Sequence, residues 1–96
     1  MRKVRIQARA EKDLLGIWDY SFVEWGPSVA DQYLDILGEA IRALADSPQA
    51  GASRGYIREG CRVLFVKRHA VYYTVTSSAV QIIRVLHGQM DPEKHL

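Results

Sequence analysis

The sequence predicts an α+β fold in the order β-α-α-β-β-β, a helical hairpin packed on one face of a mainly antiparallel sheet. Three observations carry this. Apolar residues alternate with period two at the start of the chain. They then recur at three- and four-residue steps from Ala10 to Ala45, with a single Gly26-Pro27 break. From Arg62 onward come three short runs rich in valine, isoleucine, tyrosine and threonine, the residues that fit a pleated, half-buried surface.

In the opening run, Val4, Ile6 and Ala8 alternate with Lys3, Arg5 and Gln7, which predicts a short strand with a basic outer face. Ala10, Leu14, Ile17, Trp18, Ser21, Phe22 and Trp25 then form the apolar stripe of a helix of about 16 residues. Trp18, Phe22 and Trp25 are expected in the core. Gly26 supplies the positive φ common just past a helix end, and Pro27 suits the first position of the next helix. That second helix is expected from Pro27 to Ala45, with Ala30, Tyr33, Leu34, Leu37, Ile41 and Leu44 inward and the Tyr33 hydroxyl at the core's edge. Ser47-Pro48 ends it, because the residue before a proline is driven out of the α region.

Gln49 to Gly60 carries three glycines and no long apolar pattern, and reads as a loop. The strands that follow are expected at Arg62–Lys67, Ala70–Thr76 and Val80–Leu86. Lys67-Arg68-His69 and Ser77-Ser78 are the turns, with His69 a solvated turn residue that adds positive potential. In the last strand, regular alternation would turn Ile83 and Val85 toward the helices. Arg84 would then stand with Ile82 on the open face, and His87 on the core side near the sheet edge. Tyr72 and Tyr73 must face opposite sides of their strand.

Length and composition set limits. The 96 residues, 48% apolar and 25% charged, make one domain over residues 1–96 and exclude disorder. A single cysteine, Cys61, excludes an intrachain disulfide and reads as structural. No apolar run approaches the roughly 18 residues of a membrane span, and the charged N-terminus lacks a signal-peptide core, so a cytoplasmic protein is expected. The His, Asp and Glu spacings offer no metal site, no phosphate-binding glycine loop is present, and no cofactor is expected. The formal charge of +2 is uneven. Residues 1–48 carry six basic against eight acidic side chains, and residues 49–96 seven against three. The C-terminal half is therefore the expected docking surface for an anionic partner.

Five blocks then form a pattern: Ala10-x-x-Asp13-Leu14-x-x-Ile17-x-x-Tyr20; Trp25-Gly26 followed by Ala30-x-x-Tyr33; Pro48-x-x-Gly51; Gly60-x-Arg62 with Val71-x-Tyr73-x-Val75; and Ile83-Arg84-Val85-Leu86-His87-x-x-Met90-Asp91. Together they resemble the ParE branch of the RelE/ParE toxin superfamily, over Val4 to Asp91. The resemblance implies the toxin half of a type II toxin–antitoxin module of the plasmid-stabilisation kind. Such a toxin is neutralised by a ribbon-helix-helix, ParD-like antitoxin whose C-terminal segment wraps it, and it touches operator DNA only through that antitoxin. ParE-like members poison DNA gyrase, whereas RelE-like cousins cut mRNA on the ribosome. The position after His87-Gly88, often basic in ParE-like sequences, is Gln89 here.

Three functions follow as expectations. The first is gyrase inhibition by binding, with Arg62, Arg84, His87, Met90 and Asp91 contacting target or antitoxin. The second is a RelE-like endoribonuclease using Arg62, Arg84 and His87, since such cleavage needs a base, an acid and cations on the phosphate. The strands carry no acidic residue beside His87, and residues 53–59 lack the lysines of RelE-like members. The third is a non-toxic corepressor that still holds its antitoxin, motivated by Gln89. An antitoxin tail could add a strand to a sheet edge and lay a helix over an apolar groove or the open sheet face.

Overall fold

The computed structural model describes residues 2–96. The elements are β1 (Lys3–Ile6), α1 (Ala8–Trp25), α2 (Pro27–Ala43), β2 (Ala52–Ser53), β3 (Arg62–Val66), β4 (His69–Val75) and β5 (Ala79–His87). Short 3₁₀ turns lie at Pro48–Ala50 and Pro92–Lys94. One five-stranded sheet runs in the order β1-β5-β4-β3-β2. The expected β-α-α-β-β-β order holds, with the two-residue strand β2 added inside the expected loop. The three C-terminal strands form the antiparallel meander, and β1 pairs in parallel with β5. First and last strands are therefore neighbours.

The hairpin turns at Gly26, whose φ of 90° and ψ of 172° lie in a region essentially confined to glycine. Its N–H closes α1 on the Phe22 carbonyl and its carbonyl receives the Ala30 N–H of α2. Gly26→Ala is expected to cost about 1–3 kcal/mol, read as a lower urea midpoint with an unchanged slope.

The main core lies between the helices and the sheet. Ala10, Ile41 and Leu44 meet Val71, Tyr73, Val80, Ile82 and Val85 there. Residues 48–51 close one end. The Tyr73 hydroxyl donates to the Pro48 carbonyl at 2.7 Å and accepts from the Gly51 N–H at 2.9 Å. A Cβ on Gly51 would lie 2.5 Å from that hydroxyl, so the fourth residue of the Pro48-x-x-Gly51 block has to be glycine. Tyr72 points the other way, as strand alternation requires.

Four expectations are corrected. The first concerns β5. Tyr72 pairs with Arg84 but Tyr73 pairs with Ile82, which leaves Ile83 as a bulge. The extra residue shifts the alternation, so Ile82 rather than Ile83 joins Val85 under the helices. The second concerns the far face of the sheet, which is not open. Cys61, Val63, Ala70, Tyr72 and Leu86 form a second small core there, covered by Ile57 and Leu96. The third concerns the aromatic residues of α1. Phe22 and Trp25 are 44% and 52% exposed, because the part of the helix that meets the sheet is the narrower strip Ala10-Leu14-Ile17-Ser21. Trp18 stacks on Phe22 and donates from Nε1 to Asp31 of α2, so this aromatic row seams the hairpin from its flank. The fourth concerns His69, which opens β4 half-buried rather than lying in a solvated turn.

Candidate functional site

β1 covers β5 only as far as Ile82. Beyond it the edge of β5 faces α1, and Asp13 projects onto that edge. One Asp13 oxygen accepts from Arg84 Nε at 2.8 Å and from the Val85 N–H at 2.9 Å, and the other accepts from Arg84 Nη2 at 2.9 Å. A strand N–H that would otherwise lack a ladder partner is thus satisfied by a helix carboxylate. Arg84 Nη1 donates in turn to the His95 carbonyl at 2.9 Å, and Arg9 reaches the same carbonyl. The guanidinium therefore ties α1, β5 and the C-terminal segment together. The Asp13 hydrogen bonds hold its pKa above the ordinary arginine value.

The expected role of Arg84, on an open face and able to take a partner's carboxylate, needs correcting. It does bind a carboxylate in a planar two-point arrangement, but an internal one. Asp13 was visible in the first sequence block without a role. The available signal was an acid one residue off the apolar stripe, between Ala10 and Leu14.

Arg62 is also engaged. Its Nε and Nη2 donate to the Gly51 carbonyl at 3.1 and 2.6 Å, and Nη2 reaches the Gln49 carbonyl. It holds the turn that Tyr73 holds from beside it. Arg62, Arg84 and His87 do not converge. Arg62 pairs with Tyr73 and His87 with His69, four residues along β4 and two strands across, about 16 Å of sheet. Arg84 shares the far side of the sheet with Leu86, and only its guanidinium comes round the edge.

A groove of about 730 Å³ opens beside the Asp13–Arg84 pair. Gly16, Ile17 and Tyr20 of α1 line one wall, Val29 of α2 joins the lining, and Val85 and Met90 lie opposite. Its lining is mainly apolar. Met90 is 38% exposed, so part of its side chain is available there. Asp91 accepts from the Glu93 N–H and starts the terminal 3₁₀ turn, a local capping role outside the groove wall.

His69 and His87, directly paired across β4 and β5, stand on the groove wall with ring centroids 5.5 Å apart. The Tyr33 hydroxyl is 2.6 Å from His69 Nδ1 and accepts from the Arg68 N–H at 3.2 Å. The Gln89 N–H donates to His87 Nδ1. Burial, then the neighbouring His87, holds His69 below the ordinary imidazole range. His87 lies on the helix side of the sheet, as alternation suggested, but exposed. Cys61 is buried, and burial pushes its thiol up against the opposing pull of Arg58 and Arg54.

The model that describes the ParE toxin of type II toxin–antitoxin systems, parDE, matches residues 4–92. The chain belongs to the ParE toxin family. Toxin ParE1 of Mycobacterium tuberculosis is 38% identical over 88 residues, 91% of this chain and 90% of that protein. Toxin ParE1 of Caulobacter vibrioides is 38% identical over 96 residues, 100% of this chain and 99% of its own. A solved structure described as the chromosomal ParDE TA system from P. aeruginosa superposes with a TM-score of 0.80 at 25% identity, covering 91% of this chain and 96% of the other. Within this ParE-family chain, both ends of the matched span meet at one place. The helix residue Asp13 and the strand residue Arg84 lie 71 positions apart and form one ion pair.

Proposed function

We propose that this ParE-family chain is a cytoplasmic toxin that inhibits DNA gyrase by binding, and that a ParD-like ribbon-helix-helix antitoxin neutralises it by laying its C-terminal segment in the groove between α1 and the β5 edge. Family membership supports the toxin role. The observation that favours binding over catalysis is the dispersal of Arg62, Arg84 and His87. Both arginines are spent on internal acceptors, so the base, acid and phosphate cations of RNA cleavage have no common place to act. The apolar groove, rimmed by Lys12 and Arg68, suits an amphipathic acidic segment. In this reading His87 and Met90 meet the partner directly, and Arg84 and Arg62 keep the frame around them. Among the described residues no helix is long and apolar enough to cross a membrane.

The test is purified protein with gyrase, ATP and relaxed plasmid, scored for supercoiling and trapped cleaved DNA. Inhibition or linear DNA supports the reading. Full supercoiling at saturating protein, with specific mRNA cuts in a translating extract, would replace it with the endoribonuclease. Full supercoiling with tight antitoxin binding and no growth arrest would replace it with the corepressor.

A further inference from the structure

The His69–His87 pair is more than a strand-end contact, because of what surrounds it. From α2 the Tyr33 hydroxyl faces it. From the β3–β4 turn it faces Arg68, and from β5 the Arg84 side chain lines the same wall. From α1 the wall carries Lys12, Asp13 and Tyr20. Asp13 is the one carboxylate of that lining, and Arg84 and the Val85 N–H already occupy both its oxygens. Within the groove lining an imidazolium therefore has Lys12, Arg68 and Arg84 as charged neighbours, and the one carboxylate is already engaged. In the structure His87 Nδ1 accepts from the Gln89 N–H, an acceptor role that an imidazolium nitrogen cannot fill. An occupant that keeps its acidic side chains to the Lys12 and Arg68 rim and lays its apolar face over the pair removes the remaining solvent and raises the cost of a charge there.

We infer that occupancy of this groove is proton-linked: the partner segment binds with His69 and His87 both neutral, and protonating the pair releases it. The inference rests on the antitoxin reading for its occupant and on the groove alone for its mechanism. The sign follows from linkage. A ligand that prefers the unprotonated pair binds at full strength above the imidazole range. Its affinity then falls as pH drops through that range, by up to tenfold per pH unit for each proton excluded.

Two probes separate the occupant from the mechanism. One is the antitoxin. The other is Nile red, a neutral apolar dye with no titrating group of its own here, with the Gly16→Leu protein defining the groove-specific signal. Between pH 7.5 and 5.5 the affinity for both is expected to fall about tenfold. The fall should be flattened in His87→Gln and His69→Gln, whose amides stay neutral. Because His69→Gln could disturb the Tyr33 contact, proton NMR titration of the unsubstituted chain gives a second readout. At least one of the two imidazoles should titrate lower with antitoxin bound than without. Dye affinity that is constant or rises toward acid overturns the inference, as does a pH dependence that survives both substitutions. If the dye behaves as expected and the antitoxin binds at no pH, the proton linkage stands and the antitoxin reading fails.

Discussion

Asp13→Ala is expected to destabilise the fold by about 3 kcal/mol and to loosen the C-terminal segment more than any other part. The pair is only 12% and 15% exposed, in the range where removing one partner strands the other. Alanine leaves the Arg84 guanidinium with only the His95 carbonyl and leaves the Val85 N–H at the sheet edge without its acceptor. Urea unfolding gives the size of the loss, and amide hydrogen exchange its location. Faster exchange at Val85 and through residues 91–96, with β1 and β4 comparatively protected, is the expected pattern. A cost below about 0.5 kcal/mol would mean that the pair behaves as an ordinary surface ion pair. Asp13→Asn should fall between, because an amide oxygen in place of the shared carboxylate oxygen still accepts two of the three hydrogen bonds while the charge is lost.

Gly16→Leu tests the groove without touching the fold. An added Cβ at Gly16 meets nothing within 4 Å, and the position lies in the middle of α1 on the groove wall. Leucine is a far better helix former than glycine, so stability should rise by about 0.5–1 kcal/mol. The same side chain projects into the space the antitoxin segment is proposed to fill. Antitoxin affinity should fall at least 100-fold, and co-expressed antitoxin should no longer rescue growth. Gly16→Ala gives the matched control, with the stability gain and only a small loss of binding. Unchanged antitoxin affinity in Gly16→Leu would move the antitoxin's main contact elsewhere on the chain.

The element order was legible in the sequence because each segment's local pattern agrees with its tertiary role. The change in period at Ala10 and the Gly26-Pro27 corner needed no long-range information. The bulge was not legible. Ile82 and Ile83 are both bulky and apolar, so either parity satisfies the pattern, and only the pairing with Tyr72 and Tyr73 decides between them. β2 was missed because two residues carry no period.

Of the residues the sequence singled out for contact with a partner, His87 and Met90 lie on the groove, and Asp13, Gly16, Tyr33 and His69, which line it too, were not singled out. Asp13 looked like a surface acid of an amphipathic helix. Its partner lies 71 positions away, beyond what local spacing can show. His69 looked like a turn residue because a basic pair precedes it. The turn in fact spans only Lys67, whose φ of 54° lies in the left-handed region, and Arg68, so it closes one residue earlier than the composition suggests. Arg62 and Arg84 stood out as basic residues on strands, and nothing in one dimension separates a cation held by its own chain from one that awaits a partner.

The parallel seating of β1 against β5 bears on the order of events at the ribosome. The first strand made waits for the last one, and neither the sheet nor the Asp13–Arg84 tie can close until residues 79–87 have left the exit tunnel. A partly synthesised chain therefore has no finished groove. The groove proposed to take the antitoxin completes only once β5 has been made, and no shorter nascent chain can present it to a partner.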